Sequence, residues 1–122
     1  MADLRWTPQA LEDIAAIAAY IARDAPRTAK RFARKLYETP ESLRRFPKSG
    51  QIVPELQRED IREIRLKRYR IVYRVLNTDT LEILTVFHGS RLLDTEIFEI
   101  DDGPIHDNPV EIDLGDPDDG RE

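Results

Sequence analysis

The chain has 122 residues, a net charge of −5 and no cysteine. This length suits one domain with one core, and the lack of cysteine excludes a disulfide framework and thiolate metal sites. No stretch reaches the roughly 20 apolar residues that cross a bilayer, and the N-terminus lacks a basic segment followed by an apolar one. We expect a cytoplasmic protein without a metal, a cofactor or a membrane partner.

The charges divide the chain into two parts. Residues 1–94 carry 18 Lys and Arg against 13 Asp and Glu, a net +5, whereas residues 95–122 carry one Arg against 11 Asp and Glu, a net −10. We predict a folded domain over 1–94. The acidic extension over 95–122 is expected to be partly disordered or to add strands.

The N-terminal half has helical periodicity. Residues 3–6 form a short strand candidate, after which Thr7 is suited to the N-cap and Pro8 to the first helical position. The first helix is predicted to end near Arg23. Its buried stripe consists of residues at three- and four-residue spacing, namely Leu11, Ile14, Ile17, Ala18 and Ile21.

A second helix follows the segment 24–26, which is expected to stop the first helix and cap the second. Pro40 should kink or interrupt this helix, because an interior proline loses a backbone hydrogen bond. The short connection makes the two helices an antiparallel hairpin. The predicted buried side holds Ala29, Phe32, Ala33, Leu36, Leu43 and Phe46, and the opposite side holds Arg27, Lys30, Arg31, Arg34 and Lys35.

From Ile61 the periodicity changes to that of β-strands. One strand turns at Lys67-Arg68 into a second over 69–76, and the turn 77–80 leads to a third over 81–88. In the second strand Tyr69, Ile71, Tyr73 and Val75 are predicted to face the core, and Arg70, Val72, Arg74 and Leu76 to form a cationic face. The third is apolar on both faces, as central strands are, with Leu81, Ile83 and Phe87 on one side and Leu84 and Val86 on the other.

The predicted fold is therefore α+β with the order β-α-α-β-β-β, in which an N-terminal strand and a helical hairpin accompany a small, mainly antiparallel sheet. Cations beside aromatic residues on a sheet face are suited to nucleic acid or an acidic protein. The alternative is that these arginines pair with Glu63, Glu82 and Asp94 on a solvated face. The predicted target-binding residues are Arg65, Lys67, Arg68, Arg70, Arg74, His88 and Arg91.

Several segments together resemble the RelE/ParE superfamily of bacterial type II toxins over residues 3–94. They are WTPQALEDIAAIAAYIARDAP, FPKSGQIVPEL, REIRLKRYRIVYRV and ILTVFHGSR. The resemblance implies a toxin with a helical hairpin on a sheet, held inactive by a cognate antitoxin in a toxin–antitoxin hetero-oligomer. We expect the antitoxin to lay an amphipathic, acidic segment in the groove between hairpin and sheet.

The superfamily has two branches. RelE-type members cut messenger RNA on the ribosome, which would give catalytic roles to Arg65, Arg70, His88 and Arg91. The pattern is broken in two places, since Glu63 stands where a lysine is expected and Ile97 where a tyrosine is expected. A carboxylate near the scissile phosphate would oppose the developing negative charge.

ParE-type members bind and poison DNA gyrase, with no established catalytic residues of their own. The chain is more similar to them in its H-G-x-R ending, residues 88–91, and in its N-terminal hairpin. We predict a plasmid-stabilisation toxin that inhibits gyrase. The alternatives are a ribosome-dependent mRNA endoribonuclease and a degenerate, non-toxic protein that only binds the antitoxin.

The acidic extension carries two open interpretations. It is either a disordered solubilising tail or a segment that folds back over the arginine face, where tethering gives an effective concentration of order millimolar. Salt would weaken such a contact.

Overall fold

Two helices pack on a five-stranded mixed sheet in the computed structural model, which describes residues 1–89. The strand order is β1-β5-β4-β3-β2, with β1 parallel to β5 and the other neighbours antiparallel. This confirms the predicted α+β class. The elements are β1 Asp3–Trp6, α1 Pro8–Ala22, α2 Pro26–Glu38, a 3₁₀ helix Thr39–Arg44, β2 Gln51–Ile52, β3 Ile61–Leu66, β4 Tyr69–Asn77 and β5 Thr80–His88.

Some predictions concern residues beyond this range. Arg91, Ile97, Asp94 and the whole acidic extension lie outside the described residues. Within the described part, the two-residue strand β2 was not predicted. It is an edge strand paired only with β3, too short to give an alternating pattern. None of the helices within residues 1–89 is long and apolar enough to cross a membrane.

The start of α1 confirms the predicted cap. The Thr7 hydroxyl accepts a hydrogen bond from the Ala10 N–H at 3.1 Å, and Pro8 occupies the first turn. At α2 the N-cap is Ala25, whose side chain makes no capping bond, so the predicted cap from segment 24–26 is wrong apart from Pro26 in the first turn. Apolar packing, rather than a cap, must hold the start of this helix.

The interruption at Pro40 is confirmed, because α2 ends at Glu38 and the chain continues as a 3₁₀ helix. The change of helix type also redirects the following residues. Leu43 is fully buried, but Phe46 is 61% exposed. The prediction that Phe46 continues the buried stripe is therefore wrong, because that stripe requires an unbroken 3.6-residue period.

The main core lies between the helical hairpin and the sheet. The Phe32 ring of α2 packs against Tyr69 of β4 with centroids 5.3 Å apart. The predicted core face of β4 is confirmed, and both helices of the hairpin contribute apolar residues. The buried members of the main core include Ile14, Ile17, Ala29, Phe32, Leu36, Leu43, Tyr69, Ile71, Tyr73, Leu81, Ile83 and Val86.

A β-bulge in β5 changes which of its residues face the helices. Val72 pairs with Thr85 but Tyr73 pairs with Ile83, so Leu84 is an extra residue. An extra residue reverses the alternation of side chains beyond it. Val86 therefore lies in the main core, and the predicted pairing of Ile83 with Phe87 on one face is wrong.

The bulge is bonded to α1 through Asp13, which is 1% exposed. One carboxylate oxygen accepts hydrogen bonds from the Thr85 hydroxyl at 2.5 Å and the Val86 N–H at 3.0 Å, and the other accepts from the Gln9 amide at 2.8 Å. The Thr7 hydroxyl lies 2.9 Å from the Ile83 carbonyl oxygen. Side chains of α1 thus satisfy the polar groups that the bulge leaves unpaired.

The opposite sheet face is covered in part by a second, smaller core. Val53, Ile61, Val72 and Phe87 are buried together, with Leu56 and Leu84 packed against them. The predicted cationic face therefore also carries an apolar core in its central part, which was not predicted. The loop that follows β2 folds over it and removes apolar surface from water.

We expect Asp13→Asn to destabilise the protein by about 2–4 kcal/mol, because the amide nitrogen would face the donors that Asp13 now accepts from. Glu12→Gln, on the exposed side of the same helix, is the matched control and should change stability by less than about 0.5 kcal/mol. Urea unfolding of both variants measures the difference. Equal stability of the two would contradict the role given to Asp13.

Candidate target-binding surface

Arg70 lies at the centre of the predicted site, and its guanidinium is held by two carboxylates. Its Nε donates to Glu63 Oε1 at 2.6 Å, and its two terminal nitrogens donate to both oxygens of Glu55 at 3.0 and 2.9 Å. The guanidinium carbon also lies 5.1 Å from the centre of the Phe87 ring. We call Glu55, Glu63 and Arg70 the ion triad.

The ion triad is largely removed from water. The side chains of Arg70 and Glu63 are 5% and 2% exposed, and that of Glu55 is 24% exposed. Burial alone would lower the pKa of Arg70, but the hydrogen bonds that Arg70 donates to Glu55 and Glu63 outweigh it and raise that pKa. Arg70 is thus a fixed cation whose charge is balanced within the protein.

Glu63 also relieves a repulsion between strands. Arg65 and Arg70 are directly paired across β3 and β4, an arrangement of like charges that normally destabilises a sheet. The second oxygen of Glu63 lies 3.7 Å from the Arg65 guanidinium, so one carboxylate serves both arginines. This confirms for Glu63 the alternative in which the arginines pair with acids, although the pair with Arg70 is buried rather than solvated.

Three predicted cations are brought together on the surface at the β3–β4 turn. Arg65, Lys67 and Arg68 are all exposed, and we call them the turn cluster. Lys67 has a φ of 57°, which allows the tight turn without a glycine. The predicted turn at 67–68 is confirmed, with Leu66 paired to Tyr69.

Gly89 lies beneath this cluster. Its N–H donates to the Arg68 carbonyl at 2.7 Å, and a Cβ at this position would lie 2.8 Å from a terminal nitrogen of Arg65. The end of β5 is thereby fastened to the turn. A residue with a side chain at 89 would displace Arg65.

His88 is buried beside the turn cluster. It is 7% exposed, and its ring meets Tyr69 edge-on with centroids 5.4 Å apart. Tyr69 in turn packs on Phe32 of the core. The imidazole therefore continues the core to the end of β5, as a structural histidine does, although it borders the exposed cations.

Arg74 lies apart from the other predicted residues. It is four residues along β4 from Arg70, which is about 13 Å at strand spacing, and its Nε lies 3.5 Å from Asp60. Asp60 also accepts two hydrogen bonds from Arg58, at 3.0 and 2.9 Å. Burial would raise the pKa of Asp60, but Arg58 and Arg74 outweigh it and lower that pKa. The acids Asp60 and Glu55 were not predicted, because their loop has no periodic pattern.

An apolar groove lies at the far end of β4. It has a volume of about 740 Å³ and is lined by the segment 45–49 together with Val75, Asn77 and Thr78. The exposed ring of Phe46 belongs to it. The segment is held by the Tyr73 hydroxyl, which donates to the Pro47 carbonyl at 2.7 Å and accepts from the Gly50 N–H at 3.0 Å.

Gly50 is required by this close approach. A Cβ at Gly50 would lie 2.6 Å from the Tyr73 hydroxyl and 2.7 Å from the Glu63 carbonyl oxygen. Burial raises the pKa of Tyr73 further above neutral pH, and its protonated hydroxyl donates to Pro47. Tyr73, a core residue of β4, thus holds the segment that forms the wall of the groove.

Three comparisons identify the class of protein that carries this fold and surface. Residues 4–93 match the family described as the ParE toxin of the type II toxin–antitoxin system parDE. Toxin RelE2 of Caulobacter vibrioides is 33% identical over 92 residues, which cover 75% of this chain and all of that toxin. A chain in the solved chromosomal ParDE system from P. aeruginosa has a TM-score of 0.60 at 22% identity, covering 70% of this chain and 94% of its own, and supports the fold alone.

The chain is therefore a toxin of a type II toxin–antitoxin system. Within that class it belongs to the ParE toxin family, since the family match spans most of its length. The predicted membership of the RelE/ParE superfamily is confirmed. The names of its relatives include both branches, RelE and ParE, so similarity alone does not assign the target.

We expect Glu63→Gln to destabilise the protein by about 2–4 kcal/mol, because a buried guanidinium loses one of its two counter-charges. Glu59→Gln, in the exposed loop before β3, is the control and should be within about 0.5 kcal/mol of the parent. In an Arg70→Met background the cost of Glu63→Gln should fall markedly. An unchanged cost in that background, measured by denaturant unfolding, would show that the two residues are not coupled.

Proposed function

We propose that this toxin acts in the cytoplasm by binding and inhibiting DNA gyrase, as the ParE branch does, without catalytic chemistry of its own. The observation that carries the proposal is the ion triad. In a ribonuclease of this superfamily Arg70 would have to neutralise the scissile phosphate. Here its Nε and both terminal nitrogens already donate to carboxylates.

An incoming phosphate would meet Glu55 and Glu63 at close range. Displacing them would separate Arg70 from two acids, one of them 2% exposed, and the phosphate itself would be repelled. Transition-state stabilisation requires donors that are already aimed at the developing charge. The bonding of Arg70 therefore suits a structural role beneath a binding surface better than a catalytic role in a nuclease.

The surface proposed to contact gyrase is the turn cluster of Arg65, Lys67 and Arg68. Arg65 is on β3 and Lys67 and Arg68 form the two-residue turn after it, and all three are exposed. Such a patch can pair with acidic groups of a protein partner and accelerate association. Glu63 and Arg70 are buried beside Arg65. Arg91, which is also predicted to bind the target, lies outside the described residues.

The second candidate is ribosome-dependent mRNA cleavage. It is favoured by one arrangement, the proximity of His88 to the turn cluster, because a general acid or base beside cations is what strand cleavage needs. His88 is only 7% exposed, however, and packs on Tyr69. A ribonuclease would have to expose this ring on the ribosome.

The antitoxin is proposed to bind in the apolar groove beside Phe46, in place of the groove between hairpin and sheet that was expected from the sequence. The groove is open, and Arg45 and Lys48 are exposed on its rim. These features suit an amphipathic segment with apolar anchors and acidic flanks. In the resulting toxin–antitoxin hetero-oligomer, the turn cluster at the other end of β4 would stay uncovered.

We expect the purified protein to inhibit negative supercoiling by gyrase and to leave ribosome-bound messages intact. Replacing Arg65, Lys67 and Arg68 together by alanine should weaken inhibition about tenfold or more, equivalent to about 1.4 kcal/mol. Arg5→Ala, an exposed cation on the edge strand β1, is the control and should inhibit like the parent. Supercoiling and message-cleavage assays run side by side provide the measurement.

Two results would contradict the proposal. Cleavage of ribosome-bound codons that disappears in His88→Ala would assign the chain to the ribonuclease branch. Normal growth of a host that makes the soluble protein without its antitoxin, together with unaffected gyrase, would identify a degenerate member that only binds the antitoxin.

For the antitoxin, we expect Phe46→Ser to weaken the complex about tenfold or more, because a buried phenylalanine at an interface contributes at least about 1.4 kcal/mol. Leu11→Ser is the control, since Leu11 is another exposed apolar residue, on α1 and away from the groove. Both are measured by titrating the toxin with its cognate antitoxin. Equal weakening by the two variants, or none by Phe46→Ser, would place the antitoxin elsewhere.

A further inference from the structure

The exposed side of α2 is a strongly basic face. Its buried side consists of Ala29, Phe32 and Leu36, and no acidic residue precedes Glu38 in the helix. Within residues 1–89 no ion pair joins Arg27, Lys30, Arg34 or Lys35 to an acid. We call the five exposed cations of this helix the basic face, namely Arg27, Lys30, Arg31, Arg34 and Lys35.

The basic face is electrostatically unfavourable for the helix that carries it. Lys30 and Arg34 are a like-charged pair four residues apart, which destabilises a helix. Arg27 also lies in the first turn, at the positive end of the helix dipole, where an acid would be favoured. An anionic ligand on this face would offset both effects.

We propose that the acidic segment 95–122 of this chain docks on the basic face of α2. The segment holds 11 Asp and Glu against one Arg, a net −10, and the face holds five cations in nine residues. The two are joined in one chain, so their encounter occurs at an effective concentration of order millimolar. This proposal does not depend on the target of the toxin, so it would still stand if the gyrase proposal were wrong.

The end of β5, from which the chain continues to this segment, lies close to α2. His88, the last residue of β5, packs on Tyr69 at 5.4 Å, and Tyr69 packs on Phe32 of α2 at 5.3 Å. The basic face lies on the other side of that helix, one helix diameter of about 10 Å away. The residues that follow Gly89 could extend about 100 Å at about 3.3 Å each, so the connection easily reaches the face.

The sheet arginines are a weaker site for the same segment. Arg70, the central one, is already bonded to Glu55 and Glu63, and Arg74 lies 3.5 Å from Asp60. The turn cluster offers three exposed cations against five on α2. Docking on α2 would shield the basic face, so that an external polyanion or acidic protein must displace the segment before binding there.

Nitroxide labelling of the full-length chain tests the proposal. The sequence has no cysteine, so Gly115→Cys creates one labelling site without changing the charge of the segment. We expect the α2 amides to lose about half of their NMR intensity or more. The loss should be the same at all protein concentrations, because the contact is within one chain. Salt of about 0.5 M should restore the signals, because it screens surface charges.

Matched charge variants provide the control. Lys30→Gln with Arg34→Gln should restore most of the α2 intensity, whereas Arg5→Gln with Lys48→Gln removes the same charge elsewhere and should leave the broadening in place. Broadening confined to residues 65–68 would place the segment on the turn cluster and overturn the proposal. Unbroadened α2 amides at low salt would also overturn it. This holds even if the basic face is then found to bind an added nucleic acid.

Discussion

The second face of the sheet depends on a single guanidinium. Arg70 of β4 connects Glu63 of β3 with Glu55 of the loop that follows β2, and it stacks on Phe87 of β5. Among the described residues, the loop has further polar contacts with β4 near its end, where Asp60 lies 3.5 Å from Arg74 and its carbonyl accepts from the Val75 N–H at 2.8 Å. The small core of Val53, Ile61, Val72 and Phe87 is enclosed because the loop is held there.

The same interaction limits the chemistry available at the site. A buried arginine is retained only with its counter-charges, and separating one partner from the others is strongly unfavourable. An arginine held in this way orients a neighbouring turn but has little capacity left to neutralise a phosphate. The turn cluster and α2 carry exposed cations, and the pairing of exposed cations with a partner is sensitive to salt.

Local patterns predicted those parts of the fold that local physics determines. The cap at Thr7 and the break at Pro40 follow from spacing and from backbone chemistry, and the structure contains both. The predicted stripe of α1 is buried at Ile14, Ile17 and Ile21, but its first member, Leu11, is 42% exposed, so that part of the prediction is wrong. The bulge at Leu84 could not be predicted in this way, because it depends on Asp13, which is 72 residues from Thr85 in the sequence. The exposure of Phe46 likewise depends on the path of the chain after the 3₁₀ helix.

The sequence predicted which residue types form the candidate site but not which acid pairs with which arginine. Its arginines were identified from alternation along β4 and from the family resemblance, and Glu63 was recognised as a departure from the nuclease pattern. That Glu55 completes the pairing of Arg70 depends on how an aperiodic loop folds over the sheet. Sequence patterns therefore indicated where charge collects, and only the tertiary structure indicates which of those charges is already balanced.

The most direct test of this account is the side-chain NMR signal of Arg70 Nε–H during addition of a single-stranded RNA oligonucleotide, with Arg70→Lys used to assign it. The account predicts a signal that exchanges slowly with water and does not move, because its proton is donated to Glu63 at 2.6 Å. A shift of this signal at the RNA concentration that moves the exposed arginines would contradict it. Phosphate would then have displaced the carboxylates, and Arg70 would belong to an RNA-binding site.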